Sequence, residues 1–330
     1  MNTCVLFVTA EGKLLAKAIS SSLDDCMFFD NEMKVADRFA YAWDKYDGII
    51  AIMATGIVVR SIAPLIKDKT LDPCVVVLDQ KGRYVISLLS GHLGGGNELA
   101  VKVARITGGI PVITTASDVL GKTAIDLWAK RNNLVVADRA KLTQLSTRQV
   151  NGLTPGVYCN QLPEKIPDDF SICSTLTEAD IVITYNNDMT SSALCCIPEI
   201  LFLGVGCNRG TSVEDIETAF LDLCTLHRID PRAFAGLASI DAKNDEKGIL
   251  QFAEKHKFAP RFFTKDEINS VDNVSFSAAA MKAVGAQGVA EPTAILAAGE
   301  DGSKVELIIR KMKWKDVTLA VAERKKNIWE

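Results

Sequence analysis

Gly48-Ile-Ile-Ala-Ile-Met53 runs straight into Ala54-Thr-Gly-Ile-Val-Val-Arg60, and Cys74-Val-Val-Val-Leu78 soon repeats the unbroken apolar run. β-Branched runs of this length, without polar alternation, suit strands covered on both faces. Working outward, residues 4–9 (CVLFVT) read as another strand, followed by a helical stretch over 12–23. Residues 84–88 are a further strand, and Leu99, Val103 and Ile106 recur at helical spacing within 98–106. Strands alternating with amphipathic helices predict a three-layer α/β lobe with a mostly parallel sheet.

The pattern weakens past Gly121. Helices over 123–131 and 141–150, and strands over 134–137 and 181–185, flank a stretch where Gly152, Pro155, Gly156, Pro163 and Pro167 act as turn punctuation. It restarts with a strand at 200–204, the loop Gly206-Cys-Asn-Arg-Gly-Thr-Ser212 and a helix over 213–226. Thr211 followed by Glu214 is a capping-box spacing that marks this helix start. Strands at 236–240, 305–309 and 317–322 and helices at 245–256 and 290–298 complete a separate C-terminal α/β lobe. The expected division is an N-terminal α/β domain over 1–120, a small middle domain or linker over 121–198, and a C-terminal α/β domain over 199–330.

A chain of 330 residues, 48% hydrophobic and 24% charged, has ample core for more than one domain. The net charge of −4 is spread by interleaved acids and bases, which argues against general affinity for nucleic acid or an anionic membrane while leaving room for a local basic pocket. Nine scattered cysteines with no C-x-x-C read as reduced thiols, and no cluster has metal-site spacing. The first residues read as a buried strand rather than a targeting peptide, and the longest apolar stretch, 48–59, is too short to span a bilayer. A soluble, cytoplasmic protein is expected.

Three first-lobe segments follow strands and open helices: 53–60, Ser90-Gly-His-Leu-Gly-Gly-Gly-Asn97 and Thr114-Thr-Ala-Ser-Asp118. In a parallel sheet such loops gather at the carboxyl edge of the strands, where ligands bind. Glycines let a ligand approach the exposed N–H groups of a helix start, which makes anion sites. Gly204-Val-Gly-Cys-Asn-Arg-Gly210 repeats the arrangement in the second lobe. The expectation is a cleft between two lobes that holds a polyanionic small molecule. Tight glycine packing is the plainer reading of Gly94–Gly96, and a structural hydrogen bond that of His92. Arg60 and Arg209 lie beside helix starts, with capping or anion contact as alternatives. His227 and His256, near helix ends, read as solvated or as partners of terminal carbonyls. The segment 91–96 lacks G-x-G-x-x-G, and the chain has no Walker A sequence, G-x-S-x-G elbow or H-E-x-x-H.

Residues 53–65 (MATGIVVRSIAPL), 72–79 (DPCVVVLD), 88–100 (LLSGHLGGGNELA) and 113–118 (ITTASD) resemble the CbiG family. So do 203–212 (LGVGCNRGTS), 237–246 (LASIDAKNDE) and 289–298 (VAEPTAILAA), in family order. Gly96, where the family's loop leads one to expect alanine, and Pro292 are departures. The resemblance implies a cobalt-precorrin-5A hydrolase, which opens a δ-lactone and expels the two-carbon unit as acetaldehyde to give cobalt-precorrin-5B. It implies an anionic cobalt-corrinoid as small-molecule partner, the cobalt being carried by the substrate, with no other cofactor. A homodimer and transient contact with neighbouring pathway enzymes are further expectations. A non-catalytic corrinoid carrier and a nucleotide- or sugar-phosphate-binding enzyme are the rival readings.

Lactone opening needs a base for water and donors for the oxyanion. The backbone N–H groups around 94–97 are the expected donors, with His92 or Glu98 as base. Lys243, Glu246 and Glu291 are the matching candidates in the second lobe, a Lys–Glu surface pair being the plainer reading there. The expected catalytic set is His92, Glu98, Lys243 and Glu291. Substrate contacts are expected from Thr55, Gly56, Arg60, Gly91, Gly94, Gly95, Asn97, Thr114, Thr115 and Asp118. In the second lobe they are expected from Cys207, Arg209, Thr211, Ser212, Ser239 and Glu246.

Overall fold

The computed structural model describes residues 1–29, 33–68, 71–92, 94–159, 166–187 and 192–325. Pro163, read above as turn punctuation, and Leu93 of the glycine loop lie outside the described residues. The first sheet contains β1 (Thr3–Phe7), β2 (Cys26–Phe28), β3 (Gly48–Ile52), β4 (Cys74–Leu78), β5 (Tyr84–Leu89) and β6 (Ile110–Val112), in the order β2-β1-β3-β4-β5-β6. Every residue of β1, β3 and β4 is buried, as unbroken apolar runs require. Alternate residues feed two cores. Val5, Ile50 and Val76 meet Ile19, Leu99 and Val103 on one face. Leu6, Ile49 and Val77 meet Phe39, Val58 and Ile62 on the other. This is the expected three-layer arrangement.

One strand runs against expectation. β5 is antiparallel to β4, with Leu78 opposite Val85 and Val75 opposite Leu89, and β6 is parallel to β5. Only a tight turn joins β4 to β5. The Asp79 carboxylate accepts from Lys81 N at 2.9 Å and Tyr84 N at 2.7 Å, and Gly82 takes φ +66°. A turn that short cannot make the crossover a parallel neighbour needs. The loops that follow β5 and β6 therefore emerge at the opposite sheet edge from the loop that follows β3. The three loop segments do not gather at one edge.

The second sheet, ordered β7-β11-β10-β8-β9, contains β7 (Leu134–Val136), β8 (Gly156–Cys159), β9 (Ser171–Ile172), β10 (Ile181–Ile183) and β11 (Leu194–Pro198). Gly156 opens β8 rather than marking a turn. The third sheet, β14-β13-β12-β16-β15, contains β12 (Leu201–Cys207), β13 (Phe234–Ile240), β14 (Arg261–Phe263), β15 (Lys304–Lys313) and β16 (Val317–Lys325). β12, β13 and β14 run parallel, while β16 runs antiparallel to both β12 and β15. Its main core sets Leu203, Val205, Leu319 and Val321 against Phe220, Leu223 and Phe252 of two covering helices.

The chain divides into two compact units: residues 1–128 with 146–153, and residues 129–145 with 154–330. The second and third sheets share the second unit. Within it, Tyr185 donates its hydroxyl to Glu323 Oε2 at 3.1 Å and Asn187 N donates to Arg228 O at 2.7 Å. Among the described residues, no helix is long and apolar enough to cross a membrane.

Candidate functional site

In the first unit, the loop after β5 makes the turn that carries His92. Ser90 adopts φ +51° and Gly95 φ +80°, left-handed conformations that a non-glycine residue takes only at a cost. His92 Nε2 lies 2.8 Å from Asp118 Oδ2 and 3.3 Å from Ser117 Oγ, both on the short helix Ala116–Val119 that follows β6. Asn97 is buried and donates from Nδ2 both to Asp118 Oδ2 at 2.9 Å and to Thr115 Oγ1 at 3.2 Å. A Cβ on Gly91 would sit 2.6 Å from Asn97 Oδ1, so only glycine admits Asn97 to this position. Gly91, His92, Asn97, Thr115 and Asp118 thus come together, with Ser117 added by the structure. The His92 side chain is 19% exposed and that of Asp118 41%, which shields the imidazole without closing it off.

Three of the loop's amides are already used. Gly95 N donates to His92 O at 2.9 Å, Gly96 N to Ser90 O at 3.2 Å and Asn97 N to Gly91 O at 2.9 Å. These N–H groups stiffen the loop instead of waiting for an oxyanion, which corrects the donor assignment made from the glycines. Glu98 is exposed in the first turn of the helix Gly96–Thr107, where its charge complements the helix start. Thr114 is exposed beside Thr115.

Thr55, Gly56 and Arg60 belong to the helix Thr55–Ile62 at the other edge of the sheet, set apart from His92 by the reversal of β5. Arg60 lies in the last turn of that helix, not beside its start. A Cβ on Gly56 would lie 3.4 Å from Arg60 Nη1, so the guanidinium reaches back over the first turn.

In the second unit the ends of β12 and β13 and the start of β16 line a cavity of about 710 Å³, in the range of ligand sites. Cys207, Arg209, Ser239 and Lys243, all among the expected site residues, border it together with Phe276, Lys311, Lys313, Trp314 and Lys315, which the sequence did not single out. Lys243 is 8% exposed, with Nζ 3.3 Å from Glu246 Oε2, and Glu246 is 5% exposed. This is a buried pair rather than a surface one; Glu246 also has Arg209 Nη1 3.7 Å away, so it is the loss of Glu246 that would strand the Lys243 charge. Glu246 also accepts from Gly210 N at 3.0 Å, which ties down the Cys207–Ser212 loop.

Arg209 bonds the Asp245 carboxylate and the Ala242 carbonyl, so the partners of its guanidinium are the protein's own oxygens. Ser239 donates its hydroxyl to Val205 O at 2.7 Å, inside the sheet. Burial holds the Cys207 thiol above its usual range, against the opposing pull of Lys243.

Thr211 and Ser212 are absent from the cavity wall, and the N-cap is Ser212 rather than Thr211, without the expected capping box. Ser212 caps the helix Val213–His227 by accepting from Asp215 N at 3.1 Å, while Thr211 donates to Asn208 O at 2.8 Å. Glu291 is 2% exposed, and its oxygens accept from Ser275 N at 2.7 Å and Lys311 N at 2.8 Å. Burial would raise its pKa, but these backbone donors outweigh it and hold the carboxyl below its ordinary value. Each oxygen thus holds a backbone donor, and Arg310 Nη1 lies 3.7 Å from one of them, which suits a clamp better than a reacting group. Neither remaining histidine serves a helix-terminal carbonyl. His256 pairs with Glu217 at 2.9 Å beside Phe252 and Phe258, and His227 Nε2 lies 3.2 Å from Met312 Sδ.

Two family models match this chain: Cobalamin synthesis G N-terminal over residues 37–118 and Cobalamin synthesis G C-terminus over 201–322. The chain belongs to the CbiG family. A cobalt-precorrin-5A hydrolase from Priestia megaterium is 36% identical over 300 residues, covering 85% of this chain and 79% of that protein. One of the same name from Salmonella typhimurium is 30% identical over 315 residues, covering 88% and 90%. Among solved structures, CobE, a protein from the cobalamin biosynthetic pathway, matches at 30% identity with a TM-score of 0.36, covering 38% of this chain and 92% of CobE.

Gly96 and Pro292, the two positions expected to depart from the family, have local consequences. A Cβ at Gly96 would press on Leu89 O at 3.0 Å and Ser87 Oγ at 3.1 Å, so glycine lets the helix start close against β5. Pro292 falls in the first turn of the helix Ala290–Gly299, where its missing N–H costs no helical hydrogen bond.

Proposed function

We propose that this CbiG-family chain hydrolyses cobalt-precorrin-5A, opening its δ-lactone with water and releasing the two-carbon unit as acetaldehyde to leave cobalt-precorrin-5B. The observation that carries the reading is the His92–Asp118 pair at the glycine loop, with the same activity named for relatives over most of the chain. A neutral imidazole that donates Nε2–H to the Asp118 carboxylate presents an unprotonated Nδ1. That nitrogen takes the proton of the attacking water as its oxygen bonds to the lactone carbonyl, and the ring C–O bond then breaks to give a carboxylate and a free secondary alcohol. In the second step the alcohol O–H is deprotonated and the carbon–carbon bond to the macrocycle breaks. Its electron pair passes into the conjugated ring as acetaldehyde departs.

The macrocycle supplies the electron sink, so the protein's part is to position, shield and move protons. The cobalt is substrate, and the proposal requires no resident cofactor. Glu291 is assigned no step because its oxygens are committed to backbone donors.

The test is anaerobic incubation of the purified protein with cobalt-precorrin-5A while trapping released aldehyde. Acetaldehyde appearing in step with corrinoid turnover is the expected result. Tight binding without aldehyde would instead make the chain a carrier.

A further inference from the structure

The cavity at the β12/β13 edge has two walls of different chemistry. One is apolar, with Phe276, Ala279, Ala280, Ala283 and Val284 carried on and just before the short helix Ala278–Val284. Small side chains at successive positions leave room for a planar object, and Phe276, 65% exposed, presents an uncovered ring. The other wall is the segment Lys311-Met-Lys-Trp-Lys315, the last three residues of β15 and the first two of the turn into β16, which brings three lysines and Trp314 to the same rim. Arg209 and Lys243 also border the cavity but already answer to Asp245 and Glu246. Lys315 stands 3.9 Å from Asp316, while Lys311 and Lys313 are in no ion pair among the described residues. Asp316 also lines the cavity, so the rim keeps a net positive charge through Lys311 and Lys313. A site with aromatic and alanine surface on one side and this cationic rim on the other fits a flat conjugated ligand fringed with carboxylates.

Glu291 holds the two walls in register. One carboxylate oxygen accepts from Ser275 N, next to Phe276, and the other from Lys311 N. A buried residue thus fixes the spacing between the apolar wall and the cationic rim.

We propose that this cavity is where the second unit takes the corrin ring, one edge lying against Phe276 and Trp314 with peripheral carboxylates on Lys311, Lys313 and Lys315. Glu291 sets the width of the opening as a positioning residue. The assignment rests on the corrinoid reading made above and adds to it the surface that recognises the ring.

The test uses cobyrinic acid, a stable cobalt corrinoid with free carboxylates, in equilibrium dialysis with the full-length protein. K311E/K313E is expected to weaken binding by at least about tenfold and to raise KM for cobalt-precorrin-5A in parallel, with kcat little changed. K304E, at the far end of β15 and outside the cavity, is the charge control and is expected to bind like the parent. W314F is expected to keep most of the affinity while losing most of the ligand-induced tryptophan quenching, which reports ring placement directly. Should K311E/K313E fail to fold, K313E alone, at an exposed position, is expected to show a smaller shift in the same direction. Unchanged dissociation constants in the lysine variants, no binding of cobyrinic acid by the parent, or full quenching in W314F would each overturn the docking assignment. Tighter protection by ADP than by cobyrinic acid would overturn it in favour of a nucleotide. None of these outcomes touches hydrolysis, which stands or falls on aldehyde release by the parent protein.

Discussion

In a neutral imidazole one nitrogen carries the proton, and Asp118 decides which. With Nε2–H directed at Oδ2, Nδ1 is the basic atom; without the carboxylate, the tautomer is unconstrained. H92A is therefore expected to lower kcat by about 10²–10⁴-fold. D118N is expected to lower it less and to leave cobyrinic acid binding intact, as stopped assays of aldehyde release and dialysis would show. Equal activity of H92A and parent would remove the pair from the chemistry. His92 was legible in the sequence because a histidine set among glycines lies on no apolar face. Its partner was not. Asp118 and Asn97 read as substrate contacts, since pairing across 21 or 26 residues depends on the parallel run of β5 and β6 rather than on local spacing. The internal bonds of the Gly95, Gly96 and Asn97 N–H groups are hidden too, because they follow from the loop's own backbone turn.

Within single elements, the displaced cap and the buried clamp make separable claims. S212A removes the side chain that caps Asp215 N and is expected to cost about 1 kcal/mol in denaturant unfolding, whereas T211A removes a loop tether and leaves the cap in place. If T211A lowers the helix's stability more, the cap has been misplaced. Glu291 contributes through its ionised form, because its folded pKa lies below the ordinary value of 4.5. Its stabilisation is therefore complete above that value and is lost as pH falls through the depressed folded pKa. The stability gap between the parent and E291Q should be widest near neutral pH and close as pH drops below about 4, which melting curves across pH would reveal. The apolar runs of β1, β3 and β4 were readable because burial on both faces needs no alternation. The direction of β5 was not, although Asp79 and Gly82 carried its signal: a polar residue and a glycine a few positions apart are a hairpin turn. The rim lysines escaped notice because Lys311-Met-Lys-Trp-Lys315 reads as an ordinary exposed edge until β12 and β16 are seen to bring it to the strand ends.

Across the whole molecule, nine cysteines stand as free thiols. Burial pushes Cys4, Cys74, Cys196 and Cys224 up to about 12, the first three lying in sheet interiors and Cys224 on a covering helix. Iodoacetamide at mildly alkaline pH is expected to spare these four in the native protein and to label them on unfolding, as peptide mass spectrometry would report. Rapid native labelling of Cys4 or Cys196 would contradict the packing. Their reduced state was readable from an odd count without C-x-x-C. The partition of the chain was less so: the stretch 121–198 looked like one middle piece, yet its residues divide between the two compact units. Weak apolar periodicity gives strands such as β9, two residues long, no signature to place them by.

The reversal at β5 also bears on how the chain reaches this structure. β4 and β5 meet across a turn of a few residues, whereas β1, β3 and β4 pair only after a crossover has closed a long loop. Closing a short loop sacrifices less chain entropy, so the β4–β5 ribbon is expected to form early and to give the later strands a template. In refolding experiments V85A should then show φ near 1 and I50V a clearly lower value; the reverse order would refute it. The strand that turns the His92 loop to its own edge of the sheet would thus be among the first parts of the first unit to acquire its native neighbours.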